Sequence, residues 1–272
     1  MSRADDCWVC ATNAKNDRLW QFLAQLNGAF GTRGPEPWTD LNSENGDDSS
    51  YSANPKLRMV SMKPVIDVVI PIHNAESLVA QCLDSVRTAR RERFERVILV
   101  DDGSDSPTAR MVAEFAEITP HVELIRHSEA QGFTRAANTG IRASTASTVI
   151  VLNSDTVAPK GCFERLTHTL NTVPKAGLVG PLSNAASYQS IPRQTPNQIE
   201  RLQGQTPINE LPEGMSLESL NEKLQARLAQ RFLRVPMLHG FCFGIRREVI
   251  DDVGYFDEET FPRGFGEEAD YC

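Results

Sequence analysis

The sequence predicts an α/β domain built on a doubly wound, mostly parallel sheet of the Rossmann-like kind. Three observations carry that expectation. Short apolar runs recur between residues 65 and 180 and alternate with segments whose apolar residues fall at helical spacing. The runs are continuous, as in strands covered on both faces. Polar residues cluster directly after them, in PIHN (71–74), DDGS (101–104) and NSD (153–155). Open parallel sheets bind their ligands there, beyond the carboxyl ends of the strands.

VIDVVI (65–70) reads as the first strand, and Leu78, Val79, Cys82, Leu83 and Val86 mark the helix after it. RVILV (96–100) is the second strand. Ser106 and Pro107 supply an N-cap and a first-turn proline for a helix through Met111, Val112 and Phe115. VELIR (122–126) is a third strand, and a helix covers 134–143. TVIVLN (148–153) is a fourth strand. Pro159 opens a helix with Phe163, Leu166 and Leu170 on one face, and GLVG (177–180) is a short fifth strand. Residues 184–236 read as an insertion, polar and proline-punctuated, with a helix over 216–233 opened by a weak capping box at Ser216 and Ser219. LHGFCFGIRR (238–247) is a further strand, and REVIDDVGYFDEE a short helix and turn. The chain stops at GFGEEADYC, which reads as the beginning of a helix and not as a domain end.

Before residue 64 the text differs. Trp8, Leu19, Trp20, Phe22, Leu23 and Leu26 suit one short amphipathic helix, and a stretch rich in Gly, Pro, Ser, Asn and Asp follows. Residues 1–63 are therefore expected to be a poorly ordered or partly helical extension, and 64–272 the folded domain.

The 272 residues carry a net charge of −8. That balance leaves no electrostatic footprint for broad nucleic-acid binding and no basic face for an anionic membrane. No apolar run is long enough to span a bilayer, and the first residues lack the apolar core of a secretory signal. Of six cysteines only Cys7 and Cys10 form a C-x-x-C pair, with no second pair or near histidine to complete a zinc site. Cys82, Cys162, Cys242 and Cys272 read as small buried side chains in a reducing compartment.

PIHNAES follows the first strand where a dinucleotide-binding protein would carry G-x-G-x-x-G, and no Walker lysine loop occurs. What stands at the strand ends is a set of amides and carboxylates: Asp101, Asp102 and Asp155, then Glu267, Glu268 and Asp270. Hard oxygen ligands at a sheet edge suit Mg²⁺ or Mn²⁺ holding a diphosphate.

VVIPIHNAESLVAQCLDSV, VILVDDGSDSPT, GFTRAANTGI, VIVLNSDTVAPKG, HGFCFGIRREVIDDVGYFDE and FGEEADYC resemble, in order, segments of glycosyltransferase family 2 enzymes with a GT-A fold. The resemblance covers about residues 65–272 without the insertion, and would leave the domain's C-terminal end missing. It implies transfer of a sugar from a nucleotide diphosphate sugar, with inversion, assisted by Mg²⁺ or Mn²⁺. The acceptor would be a glycan or a lipid-linked molecule. By analogy the place of work is cytoplasmic, at the inner face of a membrane where envelope polysaccharide is made.

The resemblance also assigns residues. Pro71, His73 and Asn74 stand where the family cradles base and ribose, and Asp102 where a carboxylate accepts from the base ring NH, with Asp101 holding the turn. Arg135 matches a phosphate partner, and Asn138 a partner of ribose or turn backbone. Asn153 and Ser154 border the donor. Asp155 ends the place of the metal-binding D-x-D, with Asn153 in the first Asp's position. His239 and Gly240 wall the sugar pocket. In GEEAD, Glu268 is the expected general base, and Glu267 and Asp270 face the acceptor. Local structure could account for some of these without ligands: a turn for His73, a solvated helix face for Arg135, an acidic first turn for the Glu pair. Two other functions stay open, a sugar-phosphate nucleotidyltransferase and a non-catalytic carbohydrate-binding or inactive relative.

Overall fold

The computed structural model describes residues 7–9, 66–89, 94–186, 189–191, 208–228 and 232–272. The strands are β1 (Cys7–Val9), β2 (Ile66–Ile72), β3 (Phe94–Asp102), β4 (Val122–His127), β5 (Thr148–Leu152), β6 (Leu178–Gly180), β7 (Leu233–Arg234) and β8 (Cys242–Arg246). The helices are α1 (Glu76–Ala89), α2 (Ser106–Ile118), α3 (Phe133–Ala143), α4 (Cys162–Thr172), α5 (Leu217–Leu228), α6 (Arg247–Val253) and α7 (Glu267–Tyr271).

These strands form one sheet in the order β4-β3-β2-β5-β8-β6-β1-β7. β2 pairs in parallel with β3 and β5, and β3 with β4. The chain thus winds outward through β3 and β4, then returns to lay β5 on the other side of β2. That reversal opens the crevice in which such sheets hold ligands. The sheet is mostly parallel, as expected. β8, however, runs antiparallel between β5 and β6. Its first residues therefore start at the carboxyl edge of β5, beside the NSD turn.

The continuous apolar runs are buried on both faces. Val68, Ile70 and Ile72 pack with Val79, Leu83, Phe163 and Leu166 under α1 and α4. Val69, Ile98, Val100 and Val151 pack with Ala137, Ile141, Phe243 and Tyr271 under α3 and α7. Each large apolar side chain so buried contributes about 1.5–3 kcal/mol. In α1, Val79, Cys82, Leu83 and Val86 face inward while Leu78 is exposed. Cys82, Cys162, Cys242 and Cys272 are buried, and none of them is in a disulfide.

Several boundaries differ from expectation. The N-cap of α2 is Asp105, whose carboxylate accepts from Thr108 N at 3.1 Å, and not Ser106. Pro159 belongs to the turn before α4, where Cys162 N donates to Pro159 O. Ser216 Oγ does accept from Ser219 N at 3.2 Å, but α5 ends at Leu228 and Leu233 pairs as a strand with Val9 of β1. Trp8, assigned to a helix from sequence, lies in β1 beside β6. Backbone pairing with β6 on one side and β7 on the other outweighs a helical pattern this short. Residues 1–6 and 10–63 of the extension, Cys10 among them, lie outside the described residues.

Candidate active site

Five chain segments meet at the carboxyl edge of the central strands, and short turns set each one. After β2, His73 Nδ1 donates to Asp102 O at 2.8 Å, because a carbonyl can only accept. Its Nε2 is left to accept from Asn74 Nδ2 at 3.1 Å. Asn74, at φ 57°, is tied to the next loop through Ser104 Oγ at 2.9 Å and Asp105 N at 2.7 Å. His73 itself is exposed and Pro71 is buried in the strand end.

After β3 the two aspartates divide their work. Asp101 holds the turn: it accepts from Ser104 N at 2.9 Å and from Arg126 Nη1. Asp102, 3% exposed, accepts from His127 Nδ1 at 2.7 Å, Gln131 N at 2.9 Å and Gly132 N at 2.8 Å. A carboxylate offers about four acceptor sites, so one is left on Oδ2. The sequence missed this second duty of Asp102, since its partners stand 25–30 positions downstream.

In helix α3 the structure chooses between the two roles expected of Asn138, ribose or turn backbone, and the choice is turn backbone. Asn138 is fully buried, and its amide is spent away from the crevice. It donates to Phe256 O at 2.9 Å and Glu258 Oε2 at 2.8 Å and accepts from Phe256 N at 3.1 Å. Both hydrogens of Nδ2 and one acceptor site of Oδ1 are spent internally, and full burial keeps the rest from a ribose. Asn138 is a clamp on the 254–258 segment. Arg135 is exposed on the same helix, near enough to Glu258 to help hold that carboxyl below its usual range, after the Asn138 hydrogen bond and the Arg142 charge.

After β5, Asn153 N donates to Phe241 O at 2.9 Å, which continues the β5–β8 ladder past Leu152 and Cys242. Thr156 N closes the turn on Asn153 O at 3.1 Å. Asn153 Oδ1 is buried with no hydrogen-bond partner. Ser154 is half-buried and Asp155 exposed, and no described residue donates to the Asp155 carboxylate. Cys82 lies behind this turn, its thiol pushed up to about 12 by burial, with a smaller contribution from Asp155.

Gly240, one residue before Phe241, brings in the last segment. A Cβ on Gly240 would lie 3.4 Å from the carboxyl carbon of Glu268. That places the Glu268 carboxyl over the start of β8, next to the end of β5. His239 is held by its backbone, with N donating to Gln189 Oε1 at 2.5 Å. α7 is seated by three edge-to-face rings, Phe243, Phe256 and Tyr271, at centroid distances of 5.9, 6.2 and 4.9 Å. Glu268 is half-buried and Asp270 exposed, whereas Glu267 is 4% exposed. Burial, and the charge of Glu268 beside it, push the Glu267 carboxyl up to about 7. Both glutamates accept from Gly266 N at 3.2 Å.

Among the described residues no three His, Cys, Asp or Glu side chains gather as a metal cluster. The free Asp155 carboxylate and the unpartnered Asn153 oxygen fit a divalent cation held largely by ligand oxygens, not one caged by protein.

The sequence profile described as Glycosyl transferase family 2 matches residues 67–254, more than half of the chain. Glycosyltransferase AglE of Haloferax volcanii is 30% identical over 115 residues, which cover 42% of this chain and 38% of that protein. A pre-mycofactocin glycosyltransferase of Mycobacterium tuberculosis is 28% identical over 209 residues, covering 76% of this chain and 38% of that protein. The chain thus spans well under half the length of these two relatives. A mannosyltransferase of Pyrobaculum calidifontis, solved with GDP-Man and Mn²⁺, aligns with a TM-score of 0.49 at 20% identity, covering 72% of this chain and 48% of that one.

Proposed function

Because this chain belongs to glycosyl transferase family 2, we propose that it transfers a sugar, with inversion, from a nucleotide diphosphate sugar to a hydroxyl on a glycan or lipid-linked acceptor. The observation that carries this reading is the seating of the Glu268 carboxyl against Gly240, next to the turn that bears the free Asp155 carboxylate. A base and a cation ligand brought to the same edge of the sheet suit displacement at an anomeric carbon. The nucleotidyltransferase alternative loses its ground with the family assignment.

In this reading His73 and Asn74 line the base and ribose pocket, and the remaining Oδ2 acceptor site of Asp102 reads the base. Arg135 offers a guanidinium to the diphosphate. Asp155, with Asn153 and Ser154 beside it, would hold Mg²⁺ or Mn²⁺; when bound, that cation offsets charge on the departing diphosphate. Glu268 takes the acceptor proton as the hydroxyl attacks the face opposite the leaving group. Burial and the charge of Glu268 beside it keep the proton on Glu267 up to about pH 7, which leaves Glu268 as the member of the pair proposed for the base. His239, Gly240 and Asp270 border the sugar and acceptor. No helix among the described residues is long and apolar enough to cross a membrane; work at the cytoplasmic face of one belongs to the proposal.

Calorimetry on Asp155→Asn tests the donor side. Wild type is expected to bind a nucleoside diphosphate more tightly when Mn²⁺ is added, and the variant to lose that gain. Unchanged metal-dependent affinity in the variant would remove Asp155 from the donor site.

A further inference from the structure

We propose that Gly132 is a positioning residue for the base, because its missing side chain lets the 257–266 strap seat on the loop held by Asp102 and so sets where Glu268 stands. The inference rests on the reading of Glu268 as the base.

Gly132 caps α3 at φ 98°, a backbone region that favours glycine. Its N–H is held by Asp102 Oδ2 at 2.8 Å. On its other side a Cβ would fall 2.1 Å from Pro262 O, a distance no real pair of atoms can keep. Gly132 is therefore pinched between the donor-side carboxylate and the backbone of the strap.

The same helix grips the strap at two more points. Thr134 Oγ1 donates to Phe261 O, and Asn138 holds Phe256 and Glu258. From Phe261 the contact passes straight to the base. A Cβ on Gly266 would lie 2.7 Å from the Phe261 ring, and Gly266 N is the donor both glutamates share. The route from Asp102 to Glu268 thus runs through Gly132, Phe261–Pro262 and Gly266, with a direct contact at every link.

An added methyl at Gly132 must move one partner. The loop is tied to Asp102 by Gln131 N and Gly132 N and braced by His127. Beyond Glu258 the strap meets this loop and α3 through one hydrogen bond, Thr134 to Phe261 O, and through packing of Pro262–Gly264 on Gly132 and Phe133. The strap is the softer side, so the methyl displaces Phe261–Gly266 and, with it, Glu268. A shift of about 1 Å at a reacting group costs about 10²-fold in rate.

The test uses the full chain carrying Gly132→Ala and, as a milder isosteric change, Thr134→Val. Two measurements are taken. Amide hydrogen exchange is followed across 261–271. Nucleoside diphosphate release is followed from UDP-, dTDP- and GDP-linked hexoses with Mn²⁺, across pH. The proposal expects faster exchange in 261–271 with β2 and β3 unchanged, a turnover loss of about 10²-fold for Gly132→Ala, a smaller loss for Thr134→Val, and a displaced pH–rate profile with donor KM held. Unchanged exchange in both variants would overturn it, as would a rise in donor KM that matches the loss of turnover. If wild type releases nucleoside diphosphate from none of the donors, the function proposed above falls, and the exchange measurement alone decides whether Gly132 positions the strap.

Discussion

Two carboxylates show how a neighbour changes what a residue type does. Asp102 reads from sequence as the carboxylate that meets the base, yet three donors of the protein itself converge on it. Hydrogen bonds to a charged group contribute about 1.5–3 kcal/mol. Asp102→Asn keeps the shape and removes the charge, so urea unfolding should show a stability loss in about that range; an unchanged midpoint would mean the three contacts are idle. Glu267 works in the opposite sense. Its carboxyl rises from 4.5 unfolded to about 7 folded, so folding tightens its hold on the proton. The stability this contributes is full below the unfolded value and is lost as pH rises through the folded one. Glu267→Gln fixes the neutral form. Thermal melts should therefore coincide with wild type near pH 4 and lie higher than wild type near pH 8. A variant that melts lower at the alkaline end would contradict the assignment.

At the scale of elements, α3 joins the sheet to the strap. Its underside carries Gly140, where a Cβ would meet Val69 Cγ1 at 2.2 Å and Val100 Cγ2 at 3.2 Å. Helix propensity alone would have Gly140→Ala stabilise by about 1 kcal/mol. The close approach predicts the reverse, a loss of about 1–3 kcal/mol from overpacking, and the sign of the change in denaturation midpoint decides. This helix also marks the limit of what could be read without a structure. Its existence over 134–143 was legible, and the structure adds which residues it buries, Ala136, Ala137 and Ile141. Its grip on Phe256 spans 118 positions, and no local pattern encodes a pairing that distant. The same reason hid the reversed direction of β8, the strand at Cys7–Val9 and the ring trio that seats α7. The strand-end positions of His73, Asp102 and Asp155 were legible, because a parallel sheet delivers each strand's last residues to one edge. Which of those side chains is free and which is spent was not, since that depends on partners folded in from elsewhere.

For the whole molecule, the winding of the sheet gathers the chemistry. Reversal at β2 and β5 opens the crevice, antiparallel β8 places Gly240 beside it, and the strap delivers Glu268 last. In this member of glycosyl transferase family 2, Glu268 is the group proposed to take the acceptor proton. Turnover of a nucleotide sugar by Glu268→Gln, with donor affinity measured on the same samples in Mn²⁺, tests that most directly. The account predicts unchanged donor affinity and a turnover loss of about 10²–10⁴-fold, the usual contribution of a general base. Wild-type turnover in Glu268→Gln, with loss instead in Glu267→Gln or Asp270→Asn, would contradict it.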